Sequence, residues 1–317
     1  MKPEEDAGAA EAPASFTTGS ISCIVNEAAG AASLTDVQAL AAQVAGALPE
    51  AHLHLTSVAP HELESALDEI FAGKPDAVIV LGGDGTARAA AKRAMQTQTP
   101  IAPLPGGTMN VLAKLVFGHD DLRQSIVDLK HSRVAAVDAG MVGGEPFFLS
   151  AAFGFAGPLA KLRETFRPPR KANEIFSASA SCLRGLGPSL RGGVKWRRAG
   201  ARWRRAHTLV VALGSIDRVI APEEHEMDTD DRLQAAAITL RSGWDIARLG
   251  SDAVRLNDWR ELNQLTLVTS RRIELETGTR RPLAVLDGEP IRLSQAREIT
   301  VLDKVLPVLA AQSPRPS

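Results

Sequence analysis

The run Val78-Ile-Val-Leu-Gly-Gly-Asp-Gly-Thr86 constrains this 317-residue chain more than any other segment. Ala77–Leu81 is continuously apolar, as a parallel strand covered on both faces would be, and it leads directly into glycines. Without Cβ atoms the backbone there can approach an anion closely, and the N–H groups opening the next helix favour negative charge. Asp84 would offer a carboxylate to a metal or its waters, and Thr86 a hydroxyl. The plainer alternative is a tight strand-to-helix turn with Asp84 as an N-cap.

Strand and helix patterns alternate through the first 135 residues. Ile21–Val25, His52–Ser57, Ala77–Leu81 and Ile101–Leu104 read as strands. Between them, Ser33 is placed to cap a helix through about Leu48, Pro60 to open one bearing Leu63, Leu67 and Ile70, and Thr86–Met95 to form an Ala-rich third. Asn110–Val116 and Leu122–Leu129 are expected as short helices. The alternation implies βαβ units with a parallel, Rossmann-like sheet, whose ligands bind beyond the carboxyl ends of the strands.

The texture changes near residue 133. Val134–Val142, Pro146–Ala152, His207–Gly214, Leu233–Leu240, Leu265–Ser270, Ile273–Glu276, Leu283–Leu286 and Glu298–Leu302 read as strands with few helices between them. That pattern suits an antiparallel β-sandwich. The expected organisation is a mobile tail (1–19), an α/β domain (20–133), a β-rich domain (134–304) and a C-terminal segment (305–317) that packs back on the first domain.

Net charge is −1, so no global attraction to nucleic acid follows and none is expected as a partner. No apolar run approaches the roughly 20 residues a membrane span needs. The N-terminus, with Glu4, Glu5 and Asp6, is wrong for a signal peptide, which points to the cytoplasm. Cys23 and Cys182 lack metal-ligand spacing, and Cys23 sits in an apolar run that reads as core. Charge is concentrated locally: between Lys161 and Arg205 thirteen Lys/Arg face two Glu, with Trp196 and Trp203 among them. Clustered cations with interfacial tryptophans suit an anionic membrane surface; a solvated face or a nucleic-acid patch is the competing reading.

Four further motifs carry potential chemistry. In Pro103-Leu-Pro-Gly-Gly-Thr-Met-Asn110 a second strand ends in glycines, Gly106 and Gly107, with Thr108 and Asn110 where a helix begins. Leu286-Asp-Gly-Glu-Pro290 reads first as a hairpin turn, and functionally it presents Glu289, able to accept a proton from an alcohol. Met227-Asp-Thr-Asp-Asp-Arg-Leu233 is an acidic turn that would suit Mg²⁺ or merely solvent. Asp138 lies inside an apolar strand, as either a hydrogen-bond hub or part of a site.

These motifs in this order resemble the diacylglycerol kinase catalytic-domain family, bacterial soluble lipid kinases included, related to sphingosine and ceramide kinases. The carriers are Gly82-Gly-Asp-Gly-Thr86, Pro105-Gly-Gly-Thr-Met-Asn110, Val137-Asp138 with Phe148–Phe155, and Asp287-Gly-Glu289. The first is shared with NAD kinases and phosphofructokinases, whose α/β fold the resemblance extends to residues 20–133. The resemblance implies ATP and Mg²⁺ as cofactors, with the γ-phosphoryl passing to a lipid hydroxyl, diacylglycerol-like, in a β-rich lipid-acceptor domain. It places Asn26, Thr56, Gly82, Gly83, Asp84, Gly85, Thr86, Gly106, Gly107, Thr108 and Asn110 at the nucleotide. Gly83–Ala89 as a whole lies along it. Glu289 matches the proton acceptor, and Asp84 would assist catalysis by holding Mg²⁺, directly or through water. Asp230 matches the ligand of a second, mainly structural Mg²⁺ site. The expected setting is cytoplasmic and peripheral to a membrane reached through residues 161–205, with oligomeric state left open, a homodimer being one option.

The chain also departs from the family pattern. The first loop reads Asn26-Glu-Ala-Ala-Gly30 instead of beginning Asn-Pro; Ala89 stands where a Glu is usual; Asp230-Asp231 replaces Asp-Gly; and Ser215–Ile220 lacks a Tyr-Gly-Gly stretch. Two other readings therefore stand beside the lipid kinase: an NAD-kinase-like enzyme with a soluble substrate, and a nucleotide-binding membrane protein without catalysis.

Overall fold

The computed structural model describes residues 18–29, 37–154, 193–214, 233–239, 265–279 and 281–310. The first part is built as the alternation demands. β1 (Thr18–Asn26), β2 (Glu50–Val58), β3 (Ala77–Gly82) and β4 (Ile101–Pro105) pair in parallel in the order β2-β1-β3-β4. β3 is apolar throughout because it lies between β1 and β4 under helices, and all six of its residues are buried. The helices α1 (Val37–Ala47), α2 (Leu63–Ala72), α3 (Asp84–Thr97), α4 (Val111–Phe117) and α5 (Leu122–Asp128) connect the strands. α2 buries Leu63, Leu67 and Phe71, with Ile70 at the margin of the same face. Ser33, the expected cap of the first helix, falls outside the described residues.

The order β2-β1-β3-β4 creates a switch point: from β1 the chain moves to one side and then, through β3, to the other. Loops leaving β1 and β3 diverge there and open a crevice, the place where such sheets bind ligands. Asn26 ends β1 and Gly82 ends β3, so both expected loops flank the crevice.

The remainder forms two antiparallel layers. β5 (Arg133–Val142), β6 (Glu145–Phe147), β8 (Val194–Arg198), β9 (Arg204–Ala206), β13 (Arg272–Glu276) and β16 (Glu298–Ala310) extend the first sheet to ten strands. β7 (Ser150–Gly154), β10 (Thr208–Leu213), β11 (Leu233–Ile238), β12 (Leu265–Ser270), β14 (Leu283–Leu286) and β15 (Glu289–Arg292) form a second sheet, ordered β12-β11-β10-β7-β14-β15. Phe147, Phe153, Trp196, Leu209, Val211 and Ile299 lie in the core between these layers. A separate core fills the α/β part.

Four details differ from the sequence reading. First, Glu298–Leu302 is only the start of a thirteen-residue strand that runs on to Ala310, so the line at 304/305 falls inside β16. Its first half pairs with β13 and its second half reaches β4, parallel, at Val308 opposite Ile101, with β5 alongside both halves. The register of β16 against β5 shifts between Leu302 and Leu306. Asp138 accepts the Lys304 N–H at 2.6 Å in this bulge, and Lys304 has φ of 47°. Asp138 thus has a structural part, holding the bulge of β16.

Second, Pro146–Ala152 is not one strand but the end of β6 and the start of β7. The carboxylate of Asp287 takes the N–H groups of Phe148, Leu149 and Ser150 and interrupts the ladder there. Third, the basic stretch around Trp196 contains a β-hairpin, β8–β9. Alternation along β8 sends Val194 and Trp196 inward and Lys195 and Arg197 outward. Trp196 is only 2% exposed and therefore is not an interfacial tryptophan. Fourth, residues 289–292 form a strand of their own after the Asp-Gly turn.

Candidate active site

The two glycine loops lie against each other, backbone on backbone. Gly106 donates its N–H to the Gly82 carbonyl at 3.0 Å. A Cβ on Gly106 would stand 2.9 Å from that same oxygen, and one on Gly107 would stand 2.7 Å from the Gly83 Cα. Glycine is required here by proximity, since neither position has a positive φ. The contact also explains the lack of side chains on both sides of the crevice.

Asp84 ties the loops together. It is the first residue of α3, and its two carboxylate oxygens accept the N–H groups of Asn110 (3.0 Å) and Val111 (2.6 Å), where α4 begins. Asp84 therefore caps the neighbouring helix, not its own. Burial raises its carboxyl above the ordinary range, the two N–H donors oppose this, and nearby Glu289 adds to the rise while Arg88 counters it. Asn110 completes the second loop. In the left-handed region at φ 51°, it accepts the Gly107 N–H at 2.8 Å and donates to the Gly107 carbonyl at 3.0 Å.

The β1 loop joins the same cluster. Asn26 donates its side-chain N–H to the Thr86 hydroxyl oxygen at 2.8 Å and accepts the Ala28 N–H at 3.1 Å. Thr86 is buried, and its O–H remains able to donate. α3 starts from Gly83, which has no side chain to cap it, so its first-turn N–H groups face the crevice uncapped. Gly107 and Thr108 are exposed beside them, whereas Thr56 is exposed one strand further out, on β2 opposite Ile24. The cluster therefore contains Asn26, Gly82–Thr86 and Gly106–Asn110, while Thr56 lies on the neighbouring strand β2.

The second sheet delivers the last component. Asp287 and Gly288 turn β14 into β15, with φ of 51° and 90°, and Glu289 follows at the exposed start of β15. Asp287, only 3% exposed, is the residue that sequence reasoning missed: read as a turn former, it accepts three N–H groups at 2.8–3.0 Å. A Cβ on Gly288 would lie 2.7 Å from the sulfur of Met109, so this turn packs on the second glycine loop. Arg88, one helical turn past Asp84, donates to the Leu286 carbonyl at 3.2 Å. It too went unread, although its place four residues after Asp84 on one face of the helix was the available signal.

Residues 20–142 match the family model of the diacylglycerol kinase catalytic domain. The matched segment holds both glycine loops and Asp138. Among solved structures, a diacylglycerol kinase from Bacillus anthracis str. Sterne superposes with a TM-score of 0.63 at 18% identity, over 93% of this chain and 97% of the other. Another structure from the same organism, named a diacylglycerol kinase only provisionally, gives 0.62 at 19% identity, over 93% and 98%. At such identities the likeness is one of fold, and it extends through the β-rich part beyond the catalytic domain.

Asp230 and Asp231 lie outside the described residues. Among the described residues no three His, Cys, Asp or Glu side chains group as a metal site. Burial pushes the Asp287 carboxyl up to about 6, against the pull of its three N–H donors and of Arg88. Protonating it removes an acceptor from the turn that carries Glu289. Turnover is expected to fall as pH drops through about 6, and Asp287→Asn to remove that limb. The stability contribution has the opposite sign: a raised carboxyl binds its proton more tightly in the folded chain, so this group's contribution grows as pH falls. Parallel pH series of rate and melting temperature check this, and an acid limb that coincides with unfolding overturns it.

Proposed function

We propose that the protein is an ATP-dependent lipid kinase that transfers the γ-phosphoryl of ATP to a lipid hydroxyl, diacylglycerol-like in its chemistry. One observation carries the reading: the cradle of Gly82–Thr86 and Gly106–Asn110 is packed, through Met109 and Gly288, against the turn presenting Glu289. Phosphoryl transfer asks a protein mainly for positioning and charge stabilisation. The uncapped N–H groups of α3 and the glycine backbone receive the phosphates, which a Cβ at Gly106 or Gly107 would obstruct. Glu289, exposed at the crevice, accepts the proton of the attacking hydroxyl.

The donor set fits a phosphate-borne Mg²⁺. Each Asp84 oxygen accepts one N–H and keeps a further lone pair, and Glu289 lies close enough to influence Asp84. With few protein ligands, such an ion is held largely by phosphate and water, which is usual for Mg²⁺. When bound it neutralises charge on the phosphates.

The acceptor comes from a membrane, and the β8–β9 hairpin is the proposed contact. Lys195 and Arg197 are paired with Glu276 and Glu274, but Arg198, Arg202, Arg204 and Arg205 form no ion pair among the described residues. Trp203 is 43% exposed with the Arg197 guanidinium 4.5 Å from its ring centroid. Each basic residue near an anionic surface adds about 1 kcal/mol. Of the thirteen cations in 161–205, the seven up to Arg191 lie outside the described residues. Among the described residues no helix is long and apolar enough to cross a membrane. A peripheral, cytoplasmic enzyme is our proposal.

Incubation with labelled ATP, Mg²⁺ and either a total lipid extract or NAD tests the function. Label is expected in a phosphorylated lipid. Label in NAD, or ATP binding without any transfer, overturns the reading.

A further inference from the structure

Arg88 reaches from α3 to the β14–β15 turn by a hydrogen bond that spans 198 positions of sequence. Its guanidinium donates to the carbonyl of Leu286, the residue immediately before Asp287-Gly-Glu289. It is also close enough to lower the carboxyls of both Asp84 and Asp287. Both carboxylates accept main-chain N–H groups, one in each half of the site: Asp84 from Asn110 and Val111, Asp287 from Phe148, Leu149 and Ser150. A cation is therefore held between two anions that each organise a loop.

We propose that Arg88 is a positioning residue that braces the Leu286–Glu289 turn against α3 and so sets Glu289 relative to the phosphate cradle. The other cross-contact, Met109 beside Gly288, is an apolar touch from a flexible thioether and fixes orientation poorly. The planar guanidinium supplies a directional bond and a charge at the same place. α3 is a fourteen-residue helix whose first residue already clasps the second glycine loop. A brace from its next turn makes cradle and turn move as one piece. Misplacement by about 1 Å at such a centre can cost roughly a hundredfold in rate.

The rate readout rests on the lipid kinase reading; the second readout does not. Arg88→Met keeps the stem and removes charge and donors, while Arg88→Lys keeps charge and one flexible donor. For Arg88→Met the expected result is kcat lower by roughly a hundredfold, KM for ATP nearly unchanged, and faster amide exchange at residues 287–289. Arg88→Lys is expected to recover part of both losses, and it decides the matter should Arg88→Met fail to fold. Wild-type exchange at 287–289 overturns the brace, whatever the rate does. If no lipid or NAD is phosphorylated by the wild type but exchange still accelerates in the variant, the brace stands and the kinase reading falls.

Discussion

Glu289→Gln is expected to bind ATP as the wild type does and to transfer phosphate roughly a hundred- to ten-thousand-fold more slowly, the usual worth of a general base. The substitution is nearly isosteric and sits at an exposed position, so the Asp287 hub and the Arg88 bond remain. Glutamine cannot take the hydroxyl proton. The loss should therefore fall on kcat and leave the KM for ATP in place. Nucleotide titration beside a steady-state rate on lipid micelles separates the two, and turnover near the wild-type rate removes Glu289 from the role.

The second large effect is expected at Asp84. Asparagine in its place must point an NH₂ group at either the Asn110 or the Val111 N–H, where two oxygens now accept. A charge-assisted bond is lost and two donors face each other in a buried setting, costing roughly 3 kcal/mol in all. The damage spreads because the same carboxylate joins both glycine loops. Melting temperature and ATP affinity should drop together, unlike the Glu289 case. A thermal melt and an ATP titration are sufficient. Unchanged values in both would mean that the loops hold each other through backbone contacts alone.

Much of this was legible in the residues. Ala77–Leu81 announced a central strand, and the glycines after it a close approach, because burial on two faces and the need for space leave local marks. Thr86 and Asn110 were read from residue type and loop position and Asn26 from the family resemblance; Asn26 bonds to Thr86, and Asn110 closes the second glycine loop. What escaped has long-range causes. No feature near Val308 reveals a parallel partner at Ile101. Asp287 looks like any Asp-Gly turn until the N–H groups of Phe148–Ser150 arrive from elsewhere in the chain. Trp196 was misread because a cationic neighbourhood masked the two-residue alternation that buries it.

The thirteen residues of β16 bear on how the protein is made. Synthesis proceeds from the N-terminus, so β4 and its glycine loop leave the ribosome almost two hundred residues before the strand that covers the β4 edge. In that interval the α/β layer carries a bare, apolar rim, the kind of surface that recruits chaperones or sticks to other chains. The order of synthesis thus acts as a timer: the half carrying the glycine loops cannot finish its sheet until the half bearing Glu289 has been translated. A prematurely ended chain would leave the β4 edge uncovered.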